Sequence, residues 1–161
     1  GCTACRRCKE APGRCVFDDD LVNRVLEKME RSDGLVIGSP VYYASANGAL
    51  ISLLDRMFFA GDCFRYKPAC VVCSARRGGA TATYDQLSKY LAISGMIQVP
   101  SCYWNMVHGT NKEEVVRDGE GMRNMRVLGR NMAWLLRVLE AAGKTVPLPV
   151  LDPPVKTNFI R

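Results

Sequence analysis

Leu35-Val36-Ile37-Gly38-Ser39-Pro40-Val41-Tyr42-Tyr43-Ala44-Ser45 is the stretch on which the fold turns. Its first three residues are apolar without alternation, the pattern of a strand buried on both faces in a parallel sheet. Gly38-Ser39-Pro40 is expected to break that strand, since glycine and proline punctuate regular structure, and to open a loop over 41–46. Two tyrosines directly after a buried strand do not suit a plain turn. The stretch therefore reads as a buried strand that delivers a loop prepared for a ligand.

Upstream, Leu21, Val22, Val25, Leu26 and Met29 form a helical apolar stripe. Asp18-Asp19-Asp20 precedes it, where acids favour free backbone N–H groups and the helix dipole. Downstream, Leu50, Leu53, Leu54, Met57 and Phe58 mark a second helix from Asn47. Lys67-Pro68 introduces a second apolar strand over 69–73, which runs into the loop Ser74-Ala75-Arg76-Arg77-Gly78-Gly79. A third helix is expected over 83–93, a third strand over 97–103, a loop over 104–110 and a long helix over 120–142. That last helix would turn Met122, Met125, Leu128, Met132, Leu135 and Leu139 inward, its methionine stripe serving as core or as an oligomer face. Three alternations of apolar strand and helix require crossover connections. The fold class is therefore α/β, a doubly wound parallel sheet in three α/β/α layers.

The 161 residues suit one domain, expected over 1–146 with a cysteine loop at 1–17, followed by an extension over 147–161 that holds four prolines. With 48% hydrophobic and 24% charged residues the chain is globular, and no apolar run approaches the length of a membrane span. Lys and Arg number 22 against 16 Asp and Glu, a net charge of +6. The arginines are scattered rather than gathered in a basic tract, so no nucleic-acid partner and no membrane partner are expected. Four of the eight cysteines fall within the first fifteen residues, a clustering that suggests metal-binding thiols in a reducing compartment, the cytoplasm.

In open parallel sheets ligands bind beyond the carboxyl ends of the strands. Two loops there carry suitable residues: Ser39, Pro40, Val41, Tyr42 and Tyr43 in the first, and Ala75, Arg76, Arg77, Gly78 and Gly79 in the second. Paired glycines let backbone N–H groups approach a planar ligand. The cysteines run Cys2-x2-Cys5-x2-Cys8-x6-Cys15. Zinc ribbons separate their Cys-x2-Cys pairs by a longer spacer, whereas three cysteines at x2 spacing are like the ferredoxin run. A 4Fe–4S cluster, a zinc ion and free or paired thiols all stay open at this point. His108 is the single histidine, which excludes a histidine-based metal site, and it reads as a hydrogen-bonded loop residue. Asp55-Arg56 reads as an internal ion pair. The serines lack a nucleophile elbow, and no catalytic acid or base is assigned.

Taken in order, the cysteine run, Gly38-Ser39-Pro40-Val41-Tyr42-Tyr43-Ala44-Ser45, Leu54-Asp55-Arg56, Lys67-Pro68, Ala75-Arg76-Arg77-Gly78-Gly79 and Tyr103-Trp104-Asn105 resemble the iron–sulfur flavoprotein branch of the NADPH-dependent FMN reductase family. The resemblance implies a flavodoxin-like fold with FMN at the sheet edge. Ser39, Pro40, Val41, Tyr42 and Tyr43 would line one side of the isoalloxazine, and Ala75, Arg76, Arg77, Gly78 and Gly79 its pyrimidine edge. It further implies a 4Fe–4S cluster on Cys2, Cys5, Cys8 and Cys15. NAD(P)H would be the co-substrate, the acceptor a quinone-like or other small molecule or a redox protein, and the assembly a homodimer or homotetramer.

Two departures accompany the resemblance. The first β-α-β unit of the family, with its phosphate-binding loop, is not found, so about fifty residues are expected to be missing before Gly1 and the edge of the first strand is expected to be unpaired. Ile51 stands where relatives often carry a lysine. The alternative function is a non-catalytic flavodoxin-like binding module with structural zinc or a metal-free cysteine loop.

Overall fold

The computed structural model describes residues 1–143, 145–157 and 159. The extension expected over 147–161 therefore ends, at 158 and 160–161, outside the described residues, as does position 144. Over 147–157 the chain forms neither helix nor strand.

Helix α1 (Val22–Glu30) begins where Asp20 accepts a hydrogen bond from the Val22 amide at 3.0 Å, and it buries Val22, Leu26 and Met29. Strand β1 (Leu35–Tyr42) turns back through β2 (Ser45–Ala46) into α2 (Gly48–Ala60), whose N-cap Asn47 accepts from the Ala49 and Leu50 amides. Then follow β3 (Pro68–Ala75), α3 (Ala80–Ile93), β4 (Ile97–Gln98), β5 (Met106–His108), the short α4 (Lys112–Val115) and α5 (Gly119–Ala142). In β1, Leu35 to Pro40 pair in parallel with Ala69 to Ser74 of β3, and β4 and β5 run parallel to β3 on its other side. Helices α1, α2 and α3 bury Leu26, Leu54, Met57, Leu87 and Leu91 in one core with Ile37, Val71 and Cys73. On the opposite face Leu128 of α5, with half-buried Met132 and Leu135, packs on Cys70 and Val99.

Three sequence expectations are corrected. Gly38-Ser39-Pro40 does not end β1, which runs to Tyr42. Proline is tolerated on a strand whose second edge is open, because its missing N–H removes no ladder bond there. β1 is not buried on both faces: Ile37 and Ser39 are buried, while Gly38 and Pro40 are exposed and Val36 is 59% exposed. On that face α5 covers β3 and leaves β1 uncovered. The strand expected over 97–103 divides into β4 and β5, separated by Pro100 and a turn in which Ser101 donates to the Tyr103 carbonyl at 2.8 Å. Apart from its short pairing with β2, the outer edge of β1 carries no ladder partner among the described residues. No helix of the described residues is long and apolar enough to cross a membrane.

Candidate cofactor sites

Parallel register brings the carboxyl ends of β1, β3 and β5 together, with Pro40 beside Ser74 and Ala75 beside His108. The two loops singled out in the sequence therefore lie side by side. Their contact is tight. Gly79 has φ +94°, and a Cβ built there would sit 2.6 Å from Ala44 Cα, so only glycine lets these backbones meet. Tyr43 and Ala44 also have left-handed backbones, at φ 49° and 58°, which throw Tyr42 and Tyr43 into solvent. Arg76, Arg77 and Gly78 are exposed beside them, and a Cβ at Gly78 would meet nothing within 4 Å.

Ser39 and Ala75 are buried, and the Ser39 hydroxyl is already committed. It donates to the Pro40 carbonyl at 2.7 Å and accepts from the Asn47 amide at 2.9 Å, locking the loop onto the start of α2. Gln86 of α3 braces the same loop by accepting from the Ser45 hydroxyl and the Ala46 amide. The result is an open shelf that carries exposed Tyr42 and Tyr43 on one loop and exposed Arg76, Arg77 and Gly78 on the other. Those residues fit the ring of a flat heteroaromatic cofactor. None of the described residues is assigned to its phosphate.

The second site lies toward the other end of α2, about 14 Å along its axis from Asn47 at 1.5 Å per residue. Cys2, Cys5, Cys8 and Cys15 line one small cavity together with Arg6, Phe17, Arg56 and Phe59. Left-handed backbones at Ala4 and Arg6 curl the Cys-x2-Cys segment around it. Cys15 is held from outside by buried Asn23, which accepts from the Cys15 amide at 2.8 Å and donates to its carbonyl at 2.9 Å. The Arg7 backbone and side chain both donate toward Cys5 and hold that thiol below its ordinary range. Among the described residues no three His, Cys, Asp or Glu side chains close on a single ion. A tetrahedral zinc needs its sulfurs to converge on one point, whereas a 4Fe–4S cube keeps them apart at its corners. Four thiols around one cavity with a buried arginine in its wall fit the cluster.

Sequence reasoning misassigned Arg56 and overlooked Asn23. Arg56 pairs with Asp20 and not with Asp55, which instead accepts from Tyr90. The available signal was Arg56 lying three and four residues from Leu53 and Ala60, on the inward stripe of an apolar helix. His108 closes β5; its amide donates to Asp118 at 2.7 Å and its ring nitrogen lies 3.7 Å from the same carboxylate.

Parallel strands β1, β3, β4 and β5, with α1, α2 and α3 on one face, α5 on the other and the loops open at the carboxyl ends, define a flavodoxin-like protein. Solved structures agree on the fold. A WrbA-like flavodoxin of Agrobacterium tumefaciens superposes with a TM-score of 0.59 at 16% identity, covering 80% of this chain and 77% of that one. RosB, solved with a bound 8-demethyl-8-formylriboflavin-5'-phosphate intermediate, gives 0.60 at 18% identity over 89% of this chain and 68% of its own. Residues 4–111 match the family model of NADPH-dependent FMN reductase. An iron–sulfur flavoprotein of Methanocaldococcus jannaschii is 31% identical over 148 residues, 86% of this chain and 76% of that protein. One of Methanosarcina thermophila is 33% identical over 145 residues, 86% and 73% of the two chains. The chain belongs to the NADPH-dependent FMN reductase family, whose members are flavin oxidoreductases.

Proposed function

We propose that this protein is an iron–sulfur flavoprotein that takes electrons from NADH or NADPH and passes them to a quinone-like or other small-molecule acceptor, or to a redox protein. The observation that carries the reading is the single cavity shared by Cys2, Cys5, Cys8 and Cys15, on the same helix as the flavin shelf. The names of the relatives support it. When bound, FMN supplies two-electron exchange with a nicotinamide and the cluster supplies one-electron exchange.

Tyr42 and Tyr43, exposed beside the second loop, would flank a bound flavin ring. Backbone N–H groups of Arg76 to Gly79 would be available to its pyrimidine edge, and the Arg76 and Arg77 guanidinium groups would offset negative charge there. Cys2, Cys5, Cys8 and Cys15 would hold the cluster as thiolates, with exposed Arg6 and Arg7 beside it. The proposed assembly is a homodimer or homotetramer, supported by exposed Trp134 and Val138 along one stripe of α5.

Anaerobic turnover with NADPH and a quinone tests the flavin site. Replacing Tyr42 and Tyr43 together by alanine is expected to lower kcat/KM at least tenfold, about 1.4 kcal/mol of transition-state stabilisation. Unchanged turnover in that variant would remove the tyrosines from the site, and protein that takes up no FMN would overturn the reading.

A further inference from the structure

We propose that Arg56 sets the reduction potential of the cluster held by Cys2, Cys5, Cys8 and Cys15, acting through its hydrogen bond to the Cys15 sulfur. This rests on the cluster reading of the four cysteines. Arg56 is 8% exposed, which is rare for arginine unless it is paired. An ordinary ion pair with Asp20 does not account for its position. Nη1 donates to Asp20, whose side chain is 43% exposed. Nη2 reaches past that carboxylate to donate to Cys15 Sγ at 3.3 Å and to the Phe17 carbonyl at 3.0 Å. The Phe17 ring lies 5.7 Å from the guanidinium carbon. Nε is buried with no partner among the described residues.

The guanidinium is thus fixed at three points, with its positive charge in the cavity wall. A cluster held by four thiolates is anionic, and taking up one electron makes it more so without forming or breaking a bond. A buried N–H···S hydrogen bond and a buried positive charge both favour the more anionic state and raise the potential. Arg7 is exposed, so solvent and salt screen it. Arg56 is the charge at this cavity that water screens least. It is a positioning and tuning residue, not a ligand.

The experiment compares Arg56→Met and Arg56→Lys with the unmodified protein. Iron and acid-labile sulfide are quantified first, then the cluster midpoint is taken from an anaerobic redox titration followed by electron paramagnetic resonance. The flavin midpoint, read from visible absorbance, is the internal reference. Both variants are expected to carry iron and sulfide at the unmodified level. The cluster midpoint of Arg56→Met should fall by a tenfold change or more in the one-electron equilibrium, about 59 mV. Arg56→Lys should fall by less, because it keeps the charge and loses the planar fork. The flavin midpoint should not move. Loaded variants whose cluster midpoint stays at the unmodified value overturn the role of Arg56, and if Arg56→Met does not load, Arg56→Lys decides by the same criterion. An unmodified protein without iron and sulfide overturns the cluster reading itself, and this proposal with it.

Discussion

Replacing Gly79 by alanine probes the contact that joins the loop after β1 to the loop after β3. At φ +94° an alanine pays a left-handed backbone penalty of about 1–2 kcal/mol. Its Cβ would also lie 2.6 Å from Ala44 Cα and 2.9 Å from Ala44 Cβ, and neither is a flexible end that swings aside. Forcing the loops apart adds about 1–3 kcal/mol, as overpacking does. The sum, about 3 kcal/mol, should lower Tm by about 6–12 °C in a chain of this size. Gly78→Ala is the matched control, since its new methyl group meets nothing within 4 Å and its φ is not positive. That variant should unfold within about 1 kcal/mol of the unmodified protein. The assay is thermal unfolding by circular dichroism of flavin-free protein, followed by FMN titration of each variant. Gly79→Ala should also bind FMN more weakly, because the separated loops no longer form one shelf. If the two alanine variants unfold at the same temperature, the two loops do not meet at Gly79.

Three further outcomes are expected. Burial pushes the Cys70 and Cys73 thiols up to about 11, above the roughly 8.5 of an exposed thiol, so their neutral forms contribute fully below that lower value and the contribution is lost as pH climbs through 11. The urea midpoint should therefore fall between about pH 9 and 11, and less steeply when both residues are alanine; equal slopes would remove these thiols as the cause. Leu87→Ala, at a fully buried site in α3, should cost about 3 kcal/mol in urea unfolding, and a loss under 1 kcal/mol would place Leu87 outside the core. Asn23→Ala removes the hydrogen bonds to Cys15, Phe17 and Asp18 and should cost about 2–3 kcal/mol while lowering the iron content; full iron content would show that the Cys15 segment holds itself.

What was legible in the sequence is what depends on near neighbours. The stripe Leu50, Leu53, Leu54, Met57 defined α2 because helical period is local, and Asn47 capped it where a short amide side chain precedes such a stripe. The two loops and the four cysteines were likewise visible as compact motifs. What escaped depends on distant partners. β1 outlasted Pro40 because its ladder is with β3, about thirty residues on, and the one-sided burial of Val36 reflects where α5 lies. The division of β4 from β5 follows from which part of β3 each one pairs. Arg56 and Cys15 stand 41 residues apart, so only the fold shows that a charge in α2 faces a thiol.

One anaerobic sample tests both cofactor sites most directly: its visible spectrum before and after dithionite, with iron, acid-labile sulfide, zinc and FMN quantified. Flavin bands over a broad absorbance that bleaches on reduction, with iron and sulfide in equal amounts, are the predicted result. A colourless protein that carries zinc and no iron would contradict it and leave a metal-stabilised binding module in its place.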